Sequence, residues 1–104
     1  MGTQEIIELM VQVIVSRFHP ERIILFGSQA RGEASTESDI DLLVIMPGEV
    51  NRRRVTVDIL HALHNMPAPK DIIVTTPHEI ATRGQLRCTI LHTALQEGKV
   101  VYAG

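Results

Sequence analysis

Near the amino terminus the apolar residues Ile6, Ile7, Met10, Val13 and Ile14 recur at three- and four-residue intervals. This spacing gathers them on one broad stripe and predicts an amphipathic helix from Thr3 to about Phe18. Val11 and Val15 widen the stripe, so the helix is expected to be covered on more than one side. Pro20 stops it.

Arg22-Ile23-Ile24-Leu25-Phe26 is a β-branched and aromatic run ending at Gly27, and predicts a buried strand. Ser28 to Arg31 suits a single helical turn closed by Gly32, and Glu33 to Ser38 a polar loop. Ile40-Asp41-Leu42-Leu43-Val44-Ile45-Met46 predicts a second strand, stopped by Pro47-Gly48. Val55, Ile59, Ala62, Leu63 and Met66 return to helical spacing, which predicts a helix from about Val50 to Asn65. The break Pro67-Ala68-Pro69 separates it from a third strand, Asp71-Ile72-Ile73-Val74-Thr75. Thr76-Pro77-His78-Glu79 is a capping box with proline at the first helical position. The helix it starts is expected to kink near Gly84, resume through Leu86, Ile90, Leu91, Ala94 and Leu95, and end at Gly98. Val100-Val101-Tyr102 predicts a short edge strand.

The link between the first two strands is too short for a comfortable crossover helix, so those strands should pair antiparallel. The predicted architecture is α/β (α+β): a small mixed sheet of three to four strands with helices packed mainly on one face. The other face, or the strand ends, is left for chemistry.

Composition narrows the classes. With 104 residues and 44% hydrophobic content, the chain suits one domain with a real core. Ten Lys+Arg against twelve Asp+Glu gives a net charge of −2, which argues against nucleic-acid binding by bulk charge. Aromatics at 3%, with no Trp, leave little for a base-stacking platform. The single Cys88 excludes an internal disulfide framework and a multi-cysteine zinc site. Ile6 to Val15 is broken by Glu8 and Gln12 and falls short of the ~20 apolar residues of a membrane span. No signal peptide is read, and the default expectation is a cytoplasmic protein without membrane contact.

Two short motifs carry chemistry. Asp39 and Asp41, two apart at a strand entrance, project to the same side, beside residues that are otherwise apolar. Like charges this close repel unless a cation sits between them, and hard oxygen donors select Mg²⁺ or Mn²⁺. An isolated Asp-x-Asp is more often simply solvated at a loop boundary. Gly27-Ser28 shifts that balance. A glycine at a strand end lets backbone approach a phosphate, and a following serine offers a hydroxyl and nearby N–H groups to an anion. Alone it reads as an ordinary capped turn. Together the pairs describe a phosphate cradle on one strand facing a metal-binding pair on its neighbour.

Ile24-Leu25-Phe26-Gly27-Ser28-Gln29-Ala30-Arg31-Gly32, followed by Ser38-Asp39-Ile40-Asp41-Leu42-Leu43-Val44, resembles the signature of the nucleotidyltransferase superfamily related to DNA polymerase beta. At this length the chain is similar to the minimal nucleotidyltransferases, often encoded beside a HEPN-domain protein in prokaryotic toxin–antitoxin pairs. The likeness runs from roughly Glu21 to Val74, and the ending Ala94 to Tyr102 also looks like that of such proteins. The resemblance implies a polymerase-beta palm-like fold, with residues 1–104 as one domain. It also implies a third carboxylate on a neighbouring strand, which Asp71 fits; without the family, Asp71 reads as a charge at a strand entrance.

Several functional expectations follow from the resemblance. Asp39, Asp41 and Asp71 are the catalytic and metal-holding residues, for Mg²⁺ or Mn²⁺. Gly27, Ser28, Arg31 and Ser38 are the nucleotide-binding set, with ATP as substrate. The reaction is transfer of AMP to an acceptor hydroxyl, such as a tyrosine on a HEPN-type toxin, in an antitoxin role. Two rivals stand beside it: a nucleotide-binding adaptor or steric inhibitor, and a transferase acting on a small molecule or RNA end, with the acceptor site made by a homodimer.

Other features read more plainly. Arg31 suits an ion pair with Glu33 or Glu37 as well as a phosphate, and Ser38 suits a turn cap. Arg52-Arg53-Arg54 opens a helix, where the macrodipole disfavours positive charge, which hints at an acidic partner or a polyphosphate; a solvated face is the plainer reading. His61 and His64 lack further ligands for zinc, and Cys88 reads as a small apolar group.

Overall fold

A computed structural model describes residues 3–27, 40–48, 50–66, 69–83 and 98–104. Helix α1 (Thr3–Phe18) leads into strand β1 (Arg22–Phe26), and strand β2 (Ile40–Ile45) into helix α2 (Arg52–Ala62). Strand β3 (Lys70–Thr75), helix α3 (Pro77–Arg83) and strand β4 (Lys99–Ala103) follow. The expected turn and loop over 28–39, and the kink and helical continuation after Arg83, lie outside the described residues, as does Cys88.

The element ends follow local chemistry. After α1, His19 takes a left-handed φ of 53° and its N–H donates to the Val15 carbonyl at 3.2 Å. Pro20 disfavours a further helical residue before it, so the chain leaves through a left-handed cap. Helix α2 starts two residues later than its periodicity predicts because Asn51 is the cap: its side chain accepts from the Arg54 N–H at 3.1 Å. It ends in tight turns, with His64 N–H on the His61 carbonyl and Met66 N–H on the Leu63 carbonyl. At α3 the expected cap forms, with Thr76 Oγ1 accepting from the Glu79 N–H at 3.3 Å.

The strands lie in the order β3-β2-β1-β4. β1 pairs antiparallel with β2 and β4, while β2 and β3 run parallel, so the sheet is mixed as expected. Helices α1 and α2 cover one face: Ile6, Ile7, Met10 and Ile14, with Ile59 and Leu63, pack on Ile23, Leu25, Ile40, Leu42, Val44, Ile72 and Val74. The other face carries a smaller apolar cluster of Ile24, Phe26, Leu43 and Ile45, with Ile73 and Ile80 of α3 against it. Of the two places left for chemistry by the sequence, the second face is thus covered with hydrocarbon over its middle, and the strand ends on it stay polar. No helix among the described residues is long and apolar enough to cross a membrane.

Candidate functional site

The two described acids of the expected triad meet at one end of the sheet. In the parallel β2–β3 ladder Asp41 is the register partner of Asp71. Leu42 and Val44 face the helices together with Ile72 and Val74, so alternation puts Asp41 and Asp71 side by side on the opposite face. Neighbouring strands lie about 4.8 Å apart. The register is pinned at both ends, by the Ile40 N–H on the Pro69 carbonyl and the Met46 N–H on the Thr75 carbonyl, each at 2.9 Å. A one-residue slip of β3 would turn Asp71 into the apolar layer and Ile72 out of it, so burial holds the acids together.

Two carboxylates in adjacent register repel by about 1–3 kcal/mol across roughly 5 Å at an effective dielectric of 20–80. Asp41 is half-buried and Asp71 exposed. The fold therefore tolerates a like-charge pair where hydrophobic pattern alone would accept neutral side chains.

On the third side stands Gly27, the first residue past β1, whose last residue Phe26 is the register partner of Asp41. Its φ is +75°, in the left-handed region. A Cβ there would overlap Asp41 Oδ2 and lie 3.3 Å from Asp41 Cγ. The missing side chain makes room for the Asp41 carboxylate. The donor set suits a hard divalent cation: carboxylate oxygens of one sign, carried side by side on two paired strands. Among the described residues no group of three or more His, Cys, Asp or Glu forms a metal cluster. Asp39, Ser28, Arg31 and Ser38 lie outside the described residues.

The structure does not bring the remaining sequence candidates to this site. Arg52, Arg53 and Arg54 open α2, which follows the far end of β2, so they are no contacts for a triphosphate at Asp41 and Asp71. Arg52 instead pairs with Glu79 of α3, Nη2 to Oε1 at 3.3 Å. His61 and His64 lie together on exposed surface, the His64 Nδ1 2.7 Å from the His61 carbonyl.

Comparison with known proteins bears on this geometry. The family model described as "Nucleotidyltransferase domain" matches residues 7–101. A Methanocaldococcus jannaschii protein provisionally named a protein adenylyltransferase is 29% identical over 104 residues, covering 98% of this chain and 100% of its own length. The fold is similar to that of a Sulfolobus solfataricus crystal structure, provisionally described as a nucleotidyltransferase. That likeness has a TM-score of 0.65 and 22% identity, and covers 95% of this chain and 78% of the other. It is also similar to a chain in a crystal structure of a toxin–antitoxin with AMP-PNP, with a TM-score of 0.62 and 18% identity over 99% of this chain and 75% of that one. With the family model matching residues 7–101, the chain belongs to the nucleotidyltransferase domain family.

Proposed function

We propose that the protein transfers AMP from ATP to a hydroxyl on a partner protein, in a reaction that depends on a divalent cation. The observation that carries this reading is the in-register pair Asp41 and Asp71, with Gly27 emptied of side chain beside it. Two like-charged carboxylates side by side suit a divalent cation, which would offset their repulsion and bridge them to a triphosphate. Asp41 and Asp71, with Asp39, would hold Mg²⁺ or Mn²⁺. When bound, the metal supplies neutralisation of the phosphate charge and polarisation of the phosphorus–oxygen bond being broken.

The chain's own residues do the positioning. Gly27 and Ser28 would bind the β- and γ-phosphates, with Arg31 and Ser38 beside them. Asp71, which is exposed, would orient the acceptor hydroxyl and accept its proton as that oxygen attacks the α-phosphate and pyrophosphate leaves. Adenylyl transfer to a protein is supported by the similarity to the provisionally named protein adenylyltransferase. A toxin partner, with a HEPN-type protein as the acceptor the family resemblance implies, is supported by the likeness to the chain from the toxin–antitoxin structure.

The test is to incubate the protein with α-labelled ATP, Mg²⁺ and the product of the adjacent gene. Label on the partner that disappears with Asp41→Asn and with Asp39→Asn supports transfer. Partner inhibition that persists unchanged in both variants, without label, establishes the adaptor reading in its place.

A further inference from the structure

Helix α2 turns Ile59 and Leu63 to the sheet, so its opposite side meets water. Arg53, Val57 and Leu60 follow at i, i+4 and i+7 and share one stripe on that side, and His64 lies just past the helix end. All four are exposed, Val57 at 57% and Leu60 at 37%. Val57 is the most exposed large apolar side chain among the described residues.

Above this apolar pair sit the arginines. The first turn of α2 holds no acidic residue, and positive charge there opposes the macrodipole. Arg52 is tied to Glu79, but among the described residues Arg53 and Arg54 form no ion pair. The helix thus carries two cations without a close ion pair among the described residues, with Asp58 one turn beyond Arg54, beside two solvent-facing aliphatic side chains. α2 packs on the face of the sheet opposite to that of Asp41 and Asp71, so this surface is separate from the candidate site.

We propose that the outward face of α2 docks an acidic amphipathic helix of a partner protein. Val57 and Leu60 would seat its apolar side chains, and Arg53 and Arg54 its carboxylates. Charge and chemistry select this occupant. A nucleic acid offers phosphates but no aliphatic groups for Val57 and Leu60. A second copy would bring arginines to a helix whose one carboxylate, Asp58, lies off the stripe. The inference does not depend on catalysis.

The test uses the full chain, without nucleotide, and a synthetic helical peptide with leucines along one face and glutamates beside them. A matched peptide carries lysines in place of the glutamates. Binding is followed by fluorescence anisotropy and mapped by amide chemical shifts. The glutamate peptide should bind about tenfold tighter than the lysine peptide, and lose about tenfold on the double substitution Arg53→Glu and Arg54→Glu. Val57→Ser with Leu60→Ser should weaken it severalfold, while Arg22→Glu, an exposed arginine off the stripe, should leave it unchanged. Glutamate in a first helical turn is favoured, so the charge-reversed variant should keep its fold, which its thermal melt checks. Equal binding of the two peptides, equal binding to the charge-reversed variant, no binding of the glutamate peptide, or shifts centred away from α2 would each overturn the proposal.

Discussion

Replacing Gly27 by alanine tests the geometry of the site without touching a charged group. At φ +75° an alanine costs about 1–2 kcal/mol of backbone strain. The new Cβ also overlaps Asp41 Oδ2, so the carboxylate must leave its position. A displaced, off-rotamer side chain costs about 0.5–1.5 kcal/mol more. The reduced freedom of the unfolded chain returns about 0.4–1 kcal/mol. The net loss is about 1–3 kcal/mol, or roughly 5–15 °C in Tm for a domain of this size.

Chemical denaturation of Gly27→Ala, Asp41→Ala and the double variant isolates the contact. With the carboxylate gone, only strain remains, so the glycine substitution should cost about 0.5–1.5 kcal/mol less in the Asp41→Ala background. AMP transfer by Gly27→Ala should fall about 10²-fold, because the carboxylate is moved rather than removed. An identical stability cost in both backgrounds would refute the placement of Asp41 over Gly27. No cost at all would refute the left-handed backbone.

Other substitutions probe the scaffold. Thr75 is 2% exposed and its Oγ1 has no hydrogen-bond partner among the described residues, so Thr75→Val should raise stability by about 1 kcal/mol and Tm by about 4–8 °C, read by thermal unfolding. Leu63, fully buried between α2 and the sheet, should cost about 2–5 kcal/mol as alanine, measured by urea denaturation. Thr76→Ala removes the acceptor for the Glu79 N–H and should cost about 1 kcal/mol by the same measurement, with faster amide exchange confined to the start of α3.

Much of this architecture is legible in the sequence, because burial and periodicity are local signals. The stripe from Ile6 to Ile14 and the strand runs at Arg22 and Ile40 fall where they predict elements, and the short link from Phe26 to Ile40 implied the antiparallel pair. Boundaries shifted where a side chain decided them: Asn51 delays α2 by capping it, a role that apolar spacing cannot reveal. The candidate site was legible only in part. Asp41 stands out on an apolar strand, but its alignment with Asp71 depends on the β2–β3 register, a long-range property set by both ladders. The closeness of Gly27 to the Asp41 carboxylate was not legible, because the β1–β2 register decides which side chain stands beside it. Val57 and Leu60 fell outside the predicted core stripe, yet nothing local marked them as an exposed pair next to Arg53 and Arg54.

The central claim, that Asp41 and Asp71 beside Gly27 hold a divalent cation, is tested most directly by titrating Mn²⁺ with ATP and following paramagnetic broadening of backbone amides. The account predicts that Gly27, Asp41 and Asp71 broaden first, and that Asp41→Asn with Asp71→Asn abolishes the effect. Broadening that begins instead at Asp58, His61 and His64, or that survives the double substitution at Asp41 and Asp71, would contradict it.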